Sequence, residues 1–549
     1  MKGNVAPPFP VYHRAHPGGD TGVHTFELLL FLVAACVALA WAAERLRVPL
    51  AVALVCGGMA LAFVPGLNAL QLEPELALAL FLPPLLQASA YRTDWVQFRS
   101  NLRPILLLAV GAVFFTAACV AVVAHWLVPN LPWWAAIALG AIIAPPDAVA
   151  AAAVLKQVRL PKRIVTVLEG ESLINDASSL VLYRFAVAAT VAGTFSLGSG
   201  VLQFFGASLG GVAAGWLVGR IAMWAFAKLT DTLLDITVSL LAAFLAYFAA
   251  EAVHASGVLA AVTCGLLLGR QQHAEFTGES RLNMAAVWNF VEFILTALVF
   301  MLIGLQLRGI TERLDGYDVP SLALLALAVS ATVIVSRFVW VFGASWAPRA
   351  LSRSLRERDP MPPWGHVTVL SWAGMRGVVS LAAALALPNG FPGRDIILLL
   401  AFCAIFATLV LQGTTLRWVI GRLGVEEPET AAIEPEAAQL RAELAAVGRD
   451  AVQTHADEHV ADEHAEVAAE LVDELATRAE RAGAANDDPQ GQAAGLEAQH
   501  RLRLVAIEAA RERLHEQVDQ VDTETHRTLA EELDLQEQQI RRALGETAS

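Results

Sequence analysis

Long apolar runs separated by short polar loops fill the chain from about residue 25 to 421. A bilayer core about 30 Å thick needs roughly 20 apolar residues of helix. Thirteen runs come close to that length: 25–43, 47–64, 74–91, 103–126, 132–154, 167–193, 198–226, 232–252, 256–270, 285–306, 319–345, 364–388 and 394–420. The pattern predicts an all-α polytopic membrane protein with about 13 transmembrane helices.

Basic residues are distributed unevenly between the loops. Loops that follow odd-numbered runs carry most of the lysines and arginines, such as Arg45 and Arg349, whereas the opposite loops carry few. The positive-inside rule then predicts that segment 1–24 lies outside a plasma (bacterial inner) membrane and that the C-terminal tail lies in the cytoplasm. Trp346 and Trp364 lie near predicted helix ends, where a membrane-interface belt of aromatic residues is expected.

Most of the negative charge lies after the last apolar run. The formal net charge is −14, but residues 425–549 hold 30 acidic and 11 basic residues, a balance of −19; the remainder holds 22 and 27, a balance of +5. This charge disfavours a nucleic-acid partner. Apolar positions recur at helical spacing in the tail, as at Leu440, Leu444 and Val447. The sequence predicts a transmembrane domain at 25–421 and an acidic helical tail at 425–549.

Histidines in the tail are interleaved with acids. Segment 455–464 contains three histidines, and segment 484–495 has the composition of a flexible linker. Because histidine titrates near neutral pH, a pH sensor or metal site is one interpretation of 455–464. A solvated acidic helix explains the same residues without a ligand and is favoured. A regulatory role for the tail is therefore a hypothesis.

The sixth run contains polar residues that are costly inside a membrane and are therefore functional candidates. Asp176 lies about 16 Å along a helix that starts near Val165, which is close to the middle of the bilayer. At about 100° per residue, Ser172 shares a face with Asp176, and Glu171 shares one with Asn175. Such oxygens are the ligands of a small hard cation. A buried polar network linking helices is the alternative, more so for Glu171 than for Asp176.

Two other runs contain residues that interrupt a helix. In the fifth run, residues 145–146 are both proline and precede Asp147, and a proline pair breaks a helix and frees backbone carbonyl groups. In the twelfth run, Arg376 lies between two glycines. The runs are seven apart, which inverts their topology, and paired interrupted helices in inverted repeats are typical of a transport site near the midplane.

Charged side chains lie at both predicted breaks. Half-helix ends carry partial charges in a low-dielectric interior. Asp147 near an N-terminal end and Arg376 near a C-terminal end are predicted to neutralise these charges. For Arg376 this structural role is favoured; for Asp147 it is balanced against a place on the ion path.

Further polar residues within the runs have weaker functional signals. Gln87, Arg184, Glu251, Asn289 and Glu292 belong to this group. Hydrogen bonds between helices, or side chains that extend towards the interface, are the favoured interpretation for each.

Four segments together match the pattern of a known family. Residues 169–176, Glu-Gly-Glu-Ser-Leu-Ile-Asn-Asp, look like an E-G-E-S-L-x-N-D signature, and residues 373–380, Ala-Gly-Met-Arg-Gly-Val-Val-Ser, look like a G-G-x-R-G-x-x-S signature. Segments 256–260 and 300–307 are also similar. Over about residues 25–421 the chain resembles the monovalent cation:proton antiporter-1 family, the NhaP-type sodium/proton exchangers.

The resemblance implies a homodimer in which a dimerisation domain holds a core domain that moves as an elevator. It implies that Asp176 alternates between cation and proton, and that Ser172 and Glu171 complete the cation site directly or through water. It further implies that Arg376 holds Glu171 or the helix ends in place. Asn175 stands where electrogenic relatives carry a second aspartate, which implies electroneutral exchange.

The chain departs from the family pattern at two positions. Pro146 stands where the family often has threonine, so only its backbone carbonyl is available to a cation. Gln87 and Ala88 stand where many members carry an acid. Fewer oxygens than usual leave the choice between Na⁺, K⁺ and Li⁺ open.

The favoured function is secondary antiport of a monovalent cation against H⁺ by alternating access, without a cofactor. The predicted partners are membrane lipid, cations, protons and a second copy of the chain. A cation channel and a membrane sensor that signals through the tail are the alternatives. A channel does not need two inverted helix breaks. An enzyme is disfavoured because the core lacks a His or Cys cluster, and Asp147 and Asp176 show no paired protease signature.

Overall fold

The structure is a computed structural model in which the chain divides into two compact units, Met1–Glu426 and Glu427–Ser549. The described residues are 20–46, 48–64, 74–147, 150–151, 158, 160–192, 197–229, 231–276, 278–312, 318–388, 390–425, 443–444, 446–454, 469–474, 476–477, 500–511 and 523–544. All regular structure within these ranges is helical. The predicted all-α fold class is confirmed for this part of the chain.

The helices of the first unit follow the apolar runs. They are α1 (Asp20–Leu46), α2 (Leu50–Leu61), α3 (Pro74–Arg92), α4 (Trp95–Ser100), α5 (Leu102–Leu127), α6 (Trp133–Ile143), α7 (Lys162–Ala192), α8 (Leu197–Phe226), α9 (Thr232–Ala252), α10 (Gly257–Glu275), α11 (Gly278–Glu312), α12 (Val319–Leu351), α13 (Arg353–Arg358), α14 (Trp364–Trp372), α15 (Val378–Leu385) and α16 (Arg394–Leu423). Helix α5 contains a π-helical turn at Leu107–Ala112.

Each of the thirteen predicted spans coincides with a described helix or with an interrupted pair. Six described helices are long and apolar enough to cross a membrane by length and composition: α5, α8, α9, α11, α12 and α16. In the fifth run, helix α6 ends at Ile143, residues 144–147 are not helical and residues 150–151 are helical again; the twelfth run is divided into α14 and α15. The two predicted interruptions are therefore present, while the number of 13 crossings stays a prediction.

Capping side chains fix where several helices begin. The first-turn N–H groups of a helix have no partner within it, and a preceding acid or hydroxyl satisfies them. This is the arrangement at four helices: Asp94 caps α4, Asp231 caps α9, Ser256 caps α10 and Asp318 caps α12. Each of these polar side chains immediately precedes the helix that it caps.

Two glycines allow α2 and α11 to pack backbone against backbone. A Cβ atom built on Gly58 would lie 2.3 Å from the carbonyl oxygen of Met301, and one built on Gly304 would lie 2.3 Å from that of Val55. In a membrane the hydrophobic effect does not drive helices together, so their association depends on van der Waals packing. Small residues such as glycine let the helix backbones approach closely enough for that packing. The α2–α11 contact therefore depends on the missing side chains.

In the second unit, a helix over residues 500–511 is accompanied by α17 (Thr523–Ala543). Among the described residues of the second unit, the buried apolar side chains are those of Ile507 and Ile540. The side chain of Arg511 forms ion pairs with Asp534 at 2.5 Å and Glu537 at 2.6 Å. These contacts join the two described helices; the extent and role of the tail stay a prediction. The histidine segment 455–464 and the linker 484–495 lie outside the described residues.

The close approach of α2 and α11 leads to a stability test. Gly304→Ala is expected to lower the free energy of unfolding by about 1–3 kcal/mol, because the new methyl group forces the helices apart. Thermal melting of purified protein in detergent measures the change. Gly309→Ala, on the same helix with open space around it, is the matched control and should be neutral or slightly stabilising. Equal melting temperatures for the two variants would contradict the packing argument.

Candidate functional site

The interrupted helices meet at their breaks. The backbone N–H of Asp147, just after the end of α6, donates to the carbonyl oxygen of Met375 between α14 and α15, with an N–O distance of 2.7 Å. The two breaks therefore bind each other through the main chain. Residues from sequence positions more than two hundred apart become one polar centre within the bundle.

Arg376 satisfies carbonyl groups that the breaks leave without a helical partner. Its side chain is fully buried. The Nε atom donates to the carbonyl oxygen of Ile143 at 3.0 Å, and one terminal nitrogen donates to that of Ala144 at 3.3 Å. The other terminal nitrogen donates to the carbonyl oxygen of Gly374. Arg376 thus holds two helix C-terminal ends, one of the two roles that its resemblance to the family signature implies.

Helix α7 supplies two more donors to the break after α6. The side-chain amide of Asn175 donates to the carbonyl oxygen of Pro146 at 2.7 Å. The hydroxyl of Ser179 donates to the carbonyl oxygen of Ala141 at 2.8 Å. The Pro146 carbonyl, a predicted cation ligand, therefore already accepts one hydrogen bond and has its second lone pair left for another contact. Its role as a ligand stays a prediction.

The side chain of Asp147 lies against the start of α15. A Cβ atom built on Gly377, the residue before this helix, would lie 1.6 Å from a carboxylate oxygen of Asp147. Only glycine leaves room for the carboxylate at this position. An acid at a helix N-terminus is favourable because the exposed N–H groups carry partial positive charge. The position agrees with the predicted neutralisation of a half-helix end.

Glu171 forms a buried ion pair with Arg337, an arginine of α12 that sequence reasoning missed. The two guanidinium nitrogens lie 2.6 and 2.8 Å from the two carboxylate oxygens. Both residues are at most 1% exposed. Arg337 also donates to the carbonyl oxygen of Leu370 at 3.1 Å, and its stem passes so close to Gly374 that a Cβ there would lie 2.3 Å away. The pair joins α7 to α12 and α14.

This pairing gives Glu171 a partner that the sequence prediction does not include. The resemblance implies that Glu171 completes the cation site directly or through water, and that Arg376 holds Glu171 or the helix ends. In the structure both oxygens of Glu171 accept from Arg337, and the residue does not line the cavity that contains Asp176, so its part in the cation site stays a prediction. The signal for Arg337 was present, since an arginine within the apolar run 319–345 is as costly as an acid there. Its partner, 166 residues away, could not be read from the sequence.

A small cavity of about 40 Å³ lies beside the crossing breaks. The polar residues in its wall are Ser89, Asp147, Ser172, Asp176 and Thr296. Leucines 82, 85, 86 and 173 and Val379 form the apolar remainder. A cavity needs about 10–15 Å³ to admit a water-sized particle and polar partners to hold it. The cavity therefore has the size and the oxygen atoms to receive one small dehydrated cation or a few waters.

Thr296 of α11 and Ser89 of α3 are cavity residues that the sequence did not reveal. The hydroxyl of Thr296 is buried and has no hydrogen-bond partner among the described residues. A threonine within a helix usually donates to a carbonyl oxygen of the preceding turn, as Thr332 does at 2.7 Å. A buried hydroxyl without such a bond is costly and requires an explanation. Because Thr296 lines the cavity of Asp176, a bound ion or water would satisfy it.

Polar residues elsewhere in the runs connect helices, as favoured from the sequence. The Gln87 amide donates to the carbonyl oxygen of Ser239 at 2.7 Å. Arg184 of α7 lies 2.8 Å from the carboxylate of Glu251 of α9. Arg92 of α3 lies 2.6 Å from Glu292 and donates to Asn289 at 3.2 Å, both on α11. None of these residues lines the cavity beside Asp176.

The buried Arg337–Glu171 pair generates a test of coupling. Removing one partner leaves an unpaired buried charge, so Arg337→Ala is expected to cost about 3–5 kcal/mol of stability. The double variant Glu171→Gln/Arg337→Met should have a melting temperature closer to that of wild type than the single variants Glu171→Gln and Arg337→Met have. Arg353→Ala, which removes an exposed ion pair with Glu357, is the control and should change stability little. Strictly additive losses in the double variant would show that the pair is not coupled.

Comparisons with known proteins agree with this architecture. The model of the transmembrane sodium/hydrogen exchanger family matches residues 31–421. An uncharacterised Na⁺/H⁺ exchanger of Mycobacterium bovis is 35% identical over 451 residues, covering 80% of this chain and 82% of that protein. A Bacillus pumilus protein named as a sodium, potassium, lithium and rubidium/H⁺ antiporter is 34% identical over 376 residues, covering 66% of this chain and 56% of that protein.

The fold is similar to a solved structure. The sodium proton antiporter MjNhaP1 from Methanocaldococcus jannaschii matches with a TM-score of 0.57 and 18% sequence identity. The match covers 74% of this chain and 100% of that chain. At this level of identity the match concerns the fold alone. The family model and the M. bovis relative together show that this chain belongs to the sodium/hydrogen exchanger family.

Proposed function

We propose that this chain exchanges one monovalent cation for one proton by alternating access, with Asp176 as the group that binds either ion. The observation that carries the proposal is the cavity of about 40 Å³ in which Asp176, Ser172, Asp147 and Thr296 converge. Membership of the sodium/hydrogen exchanger family supports a multi-pass membrane transporter of cations and protons rather than an enzyme. The identity of the site, the mechanism and the stoichiometry belong to the proposal.

The balance of buried charge supports an exchange of one for one. Around the breaks lie three carboxyl groups, of Glu171, Asp147 and Asp176, and two guanidinium groups, of Arg337 and Arg376. Two positive charges against three carboxylates leave one negative charge in a low-dielectric region. A proton or a monovalent cation neutralises that charge, and the cost of burying it unpaired is several kcal/mol. Competition of this kind couples the two fluxes and moves no net charge.

The chemistry of the cavity favours an alkali cation. Its polar lining consists of carboxylate and hydroxyl oxygens, which are hard ligands, and the described lining contains no sulfur or imidazole. Direct coordination by Asp176, Ser172 and Thr296 would replace part of the water shell, with the Pro146 carbonyl nearby as a further acceptor. The name of the Bacillus pumilus relative supports a broad range that includes Na⁺, K⁺ and Li⁺.

The crossing breaks support alternating access over a passive channel. A channel needs a continuous polar path but no pair of inverted helix breaks, whereas here two breaks bond to each other beside a small cavity whose wall is half apolar. The homodimer with a moving core, the cytoplasmic position of the tail and its regulatory role, all expected from the sequence, are parts of the same proposal. A tail-coupled membrane sensor is the second candidate, and the second compact unit favours keeping it.

The first experiment measures exchange directly. Wild-type protein in proteoliposomes with an internal pH dye is expected to dissipate an imposed pH gradient when Na⁺ or K⁺ is added, but not with choline. Asp176→Asn should reduce the rate to that of protein-free vesicles, because an amide cannot carry the exchanged proton. Asp235→Asn, at a buried acid of α9 outside the cavity, is the matched control and should retain exchange.

Each outcome of this experiment has a clear meaning. Cation-dependent proton movement that is lost only in Asp176→Asn supports the proposed site. Absence of proton movement in well-folded wild type overturns the exchanger proposal and leaves the sensor. If exchange itself builds up a membrane potential that stops proton movement until an ionophore dissipates it, the exchange moves net charge. That outcome would overturn the one-for-one stoichiometry but not cation/proton exchange.

The orphan hydroxyl of Thr296 provides a second test. Thr296→Val keeps the shape and removes the oxygen, so the cation concentration for half-maximal exchange is expected to rise about tenfold, the equivalent of about 1.4 kcal/mol. Thr296→Ser should restore it. Thr332→Val, which removes a hydroxyl outside the cavity, should leave it unchanged. An unaltered cation dependence in Thr296→Val would remove this residue from the site.

A further inference from the structure

A second and larger cavity lies at the beginning of α7, whereas the cavity that contains Asp176 lies beside the middle of that helix. The volume of the larger cavity is about 310 Å³, at the lower end of the range of ligand pockets. It is bounded by the beginning of α5, the beginning of α7, the end of α12, the loop 359–363 and the start of α14. Its walls are mainly apolar, including Leu108, Val167 and Leu370.

The rim of this cavity is positively charged. Arg103, Arg163 and Arg349 line it together with a single acid, Asp359. Arg163 lies 3.0 Å from one oxygen of Asp359, and Arg349 donates to the other. Although partial burial alone would raise the pKa of Asp359, hydrogen bonds and charge from the two arginines hold it below its ordinary value. Three arginines against one charged carboxylate leave an excess of two positive charges.

The three arginines differ in how many hydrogen bonds their guanidinium groups donate within the protein. Arg349 is largely occupied, since it also donates to backbone carbonyls of Ser345 and Asp359. Arg163 donates its Nε to Asn101 at 3.2 Å in addition to its contact with Asp359. Arg103 is exposed on the first turn of α5, and its guanidinium group is available to an incoming anion.

Two tryptophans give the depth of the cavity in the membrane. Trp346 on α12 and Trp364 at the start of α14 are exposed next to lining residues. Exposed tryptophans near membrane helix ends lie at the level of the lipid headgroups. The same end carries the arginine-rich short loops, which the positive-inside rule assigns to the cytoplasm. At that level, the arginines of the cavity would be expected to face headgroup phosphates and its apolar walls to face acyl chains.

We propose that this cavity is a binding site for an anionic phospholipid, with the phosphate at Arg103 and Arg163 and the upper acyl carbons against Leu108, Val167 and Leu370. Basic pockets between transmembrane helices at the cytoplasmic side bind anionic headgroups in this way. A free inorganic anion would leave the apolar wall uncovered. A neutral lipid would leave the two excess positive charges uncompensated.

The site gives lipid a contact with the helices that carry the polar centre. Helix α7, whose first turns form one wall, continues to Ser172 and Asp176, and α12, which forms another, carries Arg337. A lipid that binds the folded arrangement stabilises it by mass action. The inference concerns lipid binding, so its test does not depend on ion exchange.

The experiment is thermal melting of the full chain in a neutral detergent during titration with defined lipids. Phosphatidylglycerol is expected to raise the melting temperature saturably, whereas phosphatidylcholine, inorganic phosphate and glycerol phosphate should not. Arg103→Ala is expected to weaken half-saturation about fivefold, the effect of removing one basic contact at a headgroup. Arg99→Ala, an exposed arginine at the same end outside the cavity, is the matched control.

A second variant tests the apolar part. Val167→Phe fills the cavity and is expected to abolish the response to phosphatidylglycerol, with native mass spectrometry counting the lipid that remains bound. Gel filtration verifies that this variant is folded. Equal responses to phosphatidylcholine or to glycerol phosphate, an Arg99→Ala loss that matches that of Arg103→Ala, or an undiminished response in folded Val167→Phe would each overturn the proposal.

Discussion

A broken helix inside a membrane leaves backbone groups that no water can satisfy, and the centre of this protein is organised by that constraint. The end of α6 and the gap between α14 and α15 lie so close together that each provides hydrogen-bond partners for the backbone groups of the other. The N–H of Asp147 bonds to Met375, and Arg376 donates to carbonyls on both sides of the crossing. A buried arginine is costly unless its donors are hydrogen-bonded, and carbonyl groups at the breaks accept three hydrogen bonds from Arg376.

The side-chain hydrogen bonds of Arg376 go to carbonyl groups of Ile143, Ala144 and Gly374. Arg337 donates two hydrogen bonds to Glu171. The described residues that line the cavity beside Asp176 include no lysine or arginine. Asp147 and Asp176 both line this cavity; Asp147 lies against the start of α15, and Asp176 lies within α7 away from a helix end. In the proposed mechanism, the Arg337–Glu171 ion pair and the bridged helix ends hold the surrounding structure while Asp176 binds a mobile ion.

The parts that could be predicted from the sequence are those with a local signal. Paired prolines at 145–146 and glycines around Arg376 indicate broken helices by backbone chemistry alone, and the apolar run lengths indicate the spans. Ser172 and Asp176 share a face because helical geometry fixes it. Partner choice could not be predicted in this way. Glu171 lies one residue from Ser172 yet faces Arg337, because the rotation of α7 against α12 is decided by packing across the whole bundle.

Thr296 shows a different limit. A threonine in an apolar helix normally bonds to its own backbone, so the residue type carries no information about a site. Only the absence of that bond, seen in three dimensions, reveals it. Pro146 stands where the family often has threonine, so the break after α6 supplies no threonine hydroxyl beside Asp147. The Thr296 hydroxyl of α11 provides an oxygen atom to the same cavity.

A site with oxygens on two helices has a mechanical consequence that a site on one helix lacks. In the proposed mechanism, Ser172 and Asp176 move with α7, whereas Thr296 belongs to α11, which is packed against α2 through Gly58 and Gly304. Displacement of α7 relative to that pair would separate the ligands and raise the free energy of the bound cation. Protonated Asp176 needs no such ligand set. The division of the site between helices thus provides a physical reason why movement and ion exchange are coupled.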